Sequence, residues 1–300
     1  MIAPPAPAGV RVSVNVTNFS WADGPRALRA HLSSLAQSLD AAGVHTLWVS
    51  DHLWQADPFA SPEEPMLEAY TTLGYLAAAT THLRLGTMVT AATFRAPALL
   101  IKAVTTLDVL SGGRAWLGVG AGYNRDEAQG MGLLLPPVAE RFARLAELLA
   151  LARQMWDGDQ APFHGQHYRL ERPISSPQPI SVPRIPVLIG GSGERRTLRL
   201  VAEYGDACNL FDIPDGGQTL RRKFEVLAAH CAAVGRRYDD IERTVTTALL
   251  PDESAEQLAE RCRALSGLGA DHVVLIGRGR PLHPTDLDTI SRTITALTAA

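Results

Sequence analysis

Hydrophobic and polar positions along this chain switch period again and again, and the stretch from Thr81 to Gly122 shows the repeating unit. Leu83 to Val89 and Arg114 to Val119 are near-continuous apolar runs, the pattern of parallel strands covered on both faces. Between them Leu99, Leu100, Ala103, Val104 and Leu107 recur at helical spacing. Pro97 suits the first helical position, and Gly112-Gly113 suits the left-handed turn that stops a helix. One β-α-β unit is predicted. Such crossovers are overwhelmingly right-handed, so a repeated unit either extends an open sheet or closes into a barrel.

The unit recurs. Residues 10–16 read as a strand, and Leu28, Leu32, Leu35, Leu39 and Ala42 as one face of a helix closed by Gly43. Residues 45–50 and 67–80 give the second strand and helix, and Phe142 to Trp156 the fourth helix. From 157 to 186 the period disappears among prolines, and FHGQHYRL predicts a short hairpin inside an insertion. Strands at 186–191, 206–211, 242–250 and 272–276 then alternate with helices at 195–204, 219–234, 254–267 and 284–298. Eight of each in 300 residues predict an α/β protein, a (β/α)8 TIM barrel with an insertion after the fourth β-α unit, forming one domain over 1–300. An open doubly wound sheet is the alternative. Barrel enzymes place their chemistry at the carboxyl ends of the strands. Here those ends are polar or glycine-rich: Asn15 to Asn18, Ser50 to His52, Thr87 to Thr90, Gly120 to Asn124, Gly190 to Gly193 and Asn209 to Asp212.

Composition narrows the partners. A hydrophobic content of 46% supports a large core without disulfides or metal. A formal charge of −3 with no basic run argues against nucleic acid or a membrane surface and for a small-molecule partner. Cys208, Cys231 and Cys262 are odd in number and widely spaced, which fits structural thiols in a reducing compartment. The start, MIAPPAPAGV, lacks the basic and apolar regions of a signal peptide, and no apolar run is long enough to span a membrane, so a cytoplasmic location is expected.

Two places can carry chemistry. The loop GGSGERR, between a strand and a helix, has the physics of an anion cradle: Gly190, Gly191, Ser192 and Gly193 let backbone N–H groups approach a ligand. Arg195 and Arg196 near a helix start oppose the helix dipole, a conflict that a phosphate resolves; a plain turn with solvated arginines is the alternative. Asp51-His52 is the acid/base candidate, since histidine titrates near neutrality and a neighbouring carboxylate can orient or charge it. A histidine bonded to a loop and chemically idle is the bland alternative. Tyr123 and Asn124 offer a phenol and an amide beside the Gly120/Gly122 turn, yet both also suit loop capping. GVGAGY and GGSGER break the dinucleotide fingerprint, GGSGE misses the nucleophile elbow, and His164 and His167 lack a metal-site pattern. No metal is expected.

Taken together, SDH at 50–52, EEPMLEAYTTLGYLAAAT at 63–80, LGTMVTAATFRAP at 85–97, GGRAWLGVGAGYN at 112–124 and IGGSGERRTLRLVAEYGDACN at 189–209 resemble the luciferase-like flavin and deazaflavin oxidoreductases. The branch they resemble uses coenzyme F-420, an 8-hydroxy-5-deazaflavin. The resemblance covers nearly the whole chain. It implies a barrel with a flavin-shaped cofactor in its mouth, Asp51 and His52 beside the ring, and His52 as proton donor or acceptor. It implies a non-proline cis peptide between Thr87 and Val89, at Met88–Val89, forming a bulge behind the ring. Asp51, Thr87, Met88 and Val89 would then contact the cofactor, and Gly120, Ala121, Gly122, Asn124, Gly190, Gly191, Ser192, Gly193 and Arg195 would hold its chain and phosphate. The implied reaction is hydride transfer between the deazaflavin and a small organic substrate, a C=N (imine) or C=C acceptor, in a homodimer. The rivals are an FMN-dependent two-component monooxygenase and a non-catalytic flavin-binding barrel. Sugar-phosphate dehydrogenases of the superfamily carry a glutamate where this chain has Tyr123, and bind phosphate through lysines. This sequence has only Lys102 and Lys223, so a sugar phosphate is not the expected substrate.

Overall fold

The computed structural model describes residues 9–299; residues 1–8 of the N-terminal stretch discussed above lie outside them. The chain runs β1 (Arg11–Val16), α1 (Leu28–Ala41), β2 (Thr46–Val49), α2 (Ala69–Ala79), β3 (Arg84–Thr87), β4 (Thr90–Ala91), α3 (Pro97–Ser111), β5 (Ala115–Gly120), α4 (Arg125–Gly130) and α5 (Val138–Trp156). A hairpin of β6 (Phe163–His164) and β7 (Arg169–Leu170) follows. Then come β8 (Val187–Gly190), α6 (Thr197–Tyr204), β9 (Ala207–Phe211), α7 (Gln218–Ala233), β10 (Glu242–Ala248), α8 (Ala255–Gly267), β11 (His272–Ile276) and α9 (Pro284–Thr298).

Every pairing in the main sheet is parallel, in the order β3-β2-β1-β11-β10-β9-β8-β5-β4, and β3 also pairs with β5. That last pairing closes the ring, so the fold is a (β/α)8 barrel and the open sheet is excluded. The insertion after α5 carries the expected hairpin. It is held by two carboxylates: Asp108, fully buried on α3, accepts from the amides of Ile180 and Ser181 at 2.8 and 2.9 Å, and Glu147 accepts from those of Gln166, His167 and Tyr168.

Two departures from the sequence reading matter. The strand expected over Leu83 to Val89 breaks after Thr87 and pairing resumes at Thr90; the Met88–Val89 peptide in the gap is cis, as the family resemblance implies. A Cβ on Gly118 would lie 1.7 Å from the Thr87 carbonyl oxygen, so only glycine on β5 lets the broken strand lie against it. The second departure is α4, capped by the Asn124 side chain, which accepts from the Glu127 amide at 3.1 Å.

A continuous apolar layer joins the barrel to its helices, and Trp48, Trp116, Leu188, Ala207 and Val274 fill the barrel interior beneath Met88 and Val89. The amino ends of the strands are closed by a polar plug. Ser13, His272 and Glu242 form a hydrogen-bonded chain with the order of a nucleophilic relay, Arg11 pairs with Glu242 at 3.0 Å, and His45 stands edge-on to His272. Ser13 and His272 are 0% and 1% exposed, and the Ser13 hydroxyl also accepts from the Thr46 amide, so the chain is structural. Burial, reinforced by His272, pushes the His45 imidazole down to about 3. All three cysteines are free and buried. Among the described residues no helix is long and apolar enough to cross a membrane.

Candidate active site

The carboxyl ends of the strands surround a cavity of about 590 Å³. Of the residues singled out from sequence, Asp51, His52, Met88, Val89, Gly120, Ala121, Gly122, Asn124, Gly190 and Gly191 line it. Ser192, Gly193 and Arg195 line a second, more open hollow with Glu194, Arg196 and Lys223; Val138 and Phe142 on α5 border both spaces. Thr87 lines neither. Fully buried, it donates its hydroxyl to the Gly118 carbonyl at 2.8 Å, so its expected contact with the cofactor is corrected: the side chain ties β3 to β5 instead.

Asp51 and His52 part company. The Asp51 carboxylate, 2% exposed, is gripped by both Arg95 amino groups at 2.5 and 2.9 Å and accepts from the Thr90 hydroxyl at 2.6 Å. Burial pushes the Arg95 guanidinium down, but the Asp51 hydrogen bonds and charge outweigh it and hold Arg95 above its ordinary range. Arg95 also reaches Glu68 at 2.7 Å and stacks over the Tyr70 ring. The expectation that Asp51 orients His52 is therefore corrected. Neighbouring residues leaving a strand point in different directions, and His52 Nδ1 lies 2.7 Å from Glu127 Oε2. The other Glu127 oxygen accepts from the Leu53 amide at 2.6 Å. Tyr123 meets the His52 ring edge-on, centroids 5.8 Å apart.

The cavity walls combine bare backbone with a few polar groups. A Cβ on Gly190 or Gly120 would lie 2.9 or 3.0 Å from Val89 methyl carbons, so these glycines make room for the bulge, and the Val89 side chain fills the space. Gly191 has φ +117, open to glycine alone without strain. Asn15 lines the cavity, and its buried Oδ1 has no partner among the described residues. Across the barrel, Asn209 Oδ1 accepts from Thr244 and Thr246, which commits its oxygen and turns its amide NH2 toward a ligand. Arg141 donates to the Gly122 carbonyl, and Arg278 stacks on Phe59. An unpartnered acceptor and an uncommitted amide donor among the lining residues of one cavity suit a flat ring bearing N–H and C=O groups, so the residues present fit a flavin-type cofactor.

At the second hollow, α6 begins at Thr197, two residues later than expected, leaving Arg195 and Arg196 in the turn before it. Glu194 is taken by Lys223 and Arg222, whereas Arg195 and Arg196 form no ion pair among the described residues; Arg196 lies over the Phe142 ring. Glu127, Arg95, Arg141, Asn15 and Asn209 were not assigned roles from sequence. For Glu127 a signal existed, the Asn124-x-x-Glu127 spacing of a helix start, but it reads as a cap and says nothing of His52.

The model of the luciferase-like monooxygenase family matches residues 10–287. The F420-dependent glucose-6-phosphate dehydrogenase of Kineococcus radiotolerans is 31% identical over 237 residues, covering 77% of this chain and 67% of that protein. Among solved structures, an F420-dependent secondary alcohol dehydrogenase with an F420-acetone adduct superimposes with a TM-score of 0.81 at 17% identity, over 96% of this chain and 99% of its own. A monooxygenase, RslO1 of Streptomyces bottropensis, gives 0.78 at 16%, over 96% and 98%. At such identities these likenesses speak to the fold alone, which dehydrogenase and monooxygenase share.

Proposed function

The chain belongs to the luciferase-like monooxygenase family, and from that premise we propose that it is a coenzyme F420-dependent oxidoreductase that moves a hydride between the deazaflavin and a small organic substrate. The observation that carries the proposal is His52, on the wall of a flavin-sized cavity, with one ring nitrogen held by Glu127 and no protein partner for the other among the described residues. Asn15 and Asn209 would hold the ring edge, the bulge at Val89 would back the ring, and the turn at Gly191 with Arg195 and Arg196 would hold the phosphate-bearing chain. When bound, the deazaflavin supplies or accepts the hydride. His52 gives or takes the accompanying proton at Nε2, and the cavity walls keep water from the reacting face.

The substrate we favour is a C=N or C=C acceptor. Met66, Met88, Phe94 and Phe211 give the cavity an apolar lining, and neither lysine is in it: Lys223 pairs with Glu194 in the second hollow and Lys102 binds the Ser176 carbonyl on the outer surface. The apolar lining favours a neutral acceptor over the sugar phosphate named for the curated relatives; the cavity's cationic groups are Arg141, which donates to the Gly122 carbonyl, and Arg278, stacked on Phe59. Titration of the purified protein with F420 and with FMN, followed by turnover of cyclic imines, enones and glucose 6-phosphate, tests the proposal. Tight F420 binding with imine or enone reduction is expected; preference for FMN, or F420 binding with no turnover of any of these, overturns it.

A further inference from the structure

Glu127 is wholly buried and does not line the cavity, yet both of its oxygens are committed, one to the Leu53 amide at 2.6 Å and one to His52 Nδ1 at 2.7 Å. A carboxylate sealed from water is tolerated only where donors satisfy it. The Leu53 N–H is a fixed donor, and short N–H···O contacts of this length are those of charge-assisted bonds. An ionised Glu127 can only accept, so the proton between the two groups belongs to the imidazole. The same bond fixes the ring: with Nδ1 turned into the protein, Nε2 is the nitrogen left for the cavity.

The geometry points to Glu127 as the positioning residue of the reaction. It keeps a hydrogen on His52 Nδ1, so that Nε2 is the nitrogen that exchanges the proton with the substrate and the Nδ1–H form is the tautomer of the unprotonated ring. Asp51, the chain neighbour, cannot serve in this way because Arg95 and Thr90 occupy it. Two backbone features keep Glu127 in place: the Asn124 cap that starts α4, and Trp54 packed over Gly130 at the end of that helix, where a Cβ would lie 2.8 Å from the indole. The inference rests on the proposed reaction only for its catalytic consequence; the tautomer is a property of the protein alone.

Nitrogen-15 histidine spectra of the cofactor-free protein, with the His52 signal identified by its loss in His52→Ala, test the first part. His52 in the Nδ1–H form in the native protein, with that bias lost in Glu127→Gln, is expected. An Nε2–H His52 facing a protonated Glu127 overturns the inference, and needs no variant to be seen. Kinetics test the second part. Glu127→Gln should lower kcat about 100-fold with F420 affinity and substrate KM changed less than about threefold, and His52→Ala/Glu127→Gln should be no slower than His52→Ala. Multiplying effects in the double variant, or a loss confined to KM, overturns the positioning role. If the protein proves not to be an F420 enzyme, the spectra still decide the tautomer, so the two failures are distinguishable.

Discussion

Arg95 and Asp51 form a two-pronged ion pair at the edge of the cavity, with the Asp51 carboxylate almost wholly withdrawn from solvent. Such a pair contributes little against an apolar substitute, but removing one partner strands a buried charge. Arg95→Met should therefore lower unfolding stability by about 3–5 kcal/mol, and adding Asp51→Asn should recover part of that loss. Urea unfolding of the single and double variants checks both values; an unchanged midpoint in Arg95→Met would show that the pair does not hold the site together.

Val89 fills the space left by two glycines. Gly190→Ala places a methyl 2.9 Å from both Val89 γ-carbons, which should cost about 1–3 kcal/mol of stability. Because Val89 borders the cavity, F420 binding should weaken about tenfold. Gly190→Ala/Val89→Ala frees the room again, so its thermal midpoint and F420 affinity, measured by fluorescence titration, should both move back toward the native values.

Arg195 and Arg196 sit beside the second hollow without ion-pair partners among the described residues. Replacing both with glutamine should weaken F420 binding about tenfold and leave kcat at saturating cofactor unchanged. The difference from the native protein should narrow at high salt, where exposed charges are screened. Equal F420 affinities at low salt would leave the two arginines as solvated turn residues.

The plug at the amino ends of the strands makes stability depend on pH. His45 is depressed to about 3 by burial and by its neighbour His272, so the native state resists its protonation. The stability tied to the neutral ring is complete above the ordinary histidine pKa of 6.5 and is lost as pH falls from there toward 3. Between pH 7.5 and pH 5 the loss should be about 2 kcal/mol. For Glu242, burial raises the carboxyl, but the His272 charge and hydrogen bond together with Arg11 hold it down at about 2. Its contribution is lost only as pH falls below about 4.5, outside that window. Guanidinium unfolding at the two pH values should show the loss in the native protein and a much smaller one in His45→Asn.

The period of apolar residues carried the barrel. Parallel strands buried on both faces and helices buried on one have different repeats, and Gly43, Gly112 and Gly205 mark helix stops in the sequence itself. The polar strand ends were legible for the same reason, because a side chain that leaves the apolar layer announces itself by type. Ser50-Asp51-His52 and Gly190-Gly191 could thus be assigned to the mouth before any contact was known.

What each side chain does there was decided by residues distant in sequence. Asp51 faces Arg95 and Thr90, and His52 faces Glu127, 75 positions further on. The break after Thr87 depends on the missing Cβ of Gly118 on another strand, and the Asn15 acceptor, on a residue that lines the cavity, has no partner among the described residues. Local periodicity is set by neighbours three or four residues apart, so the chain alone determined the elements and their order. Which of two adjacent side chains turns inward to a carboxylate and which to a guanidinium depends on how strands and loops pack around the ring, and only the closed barrel settles it.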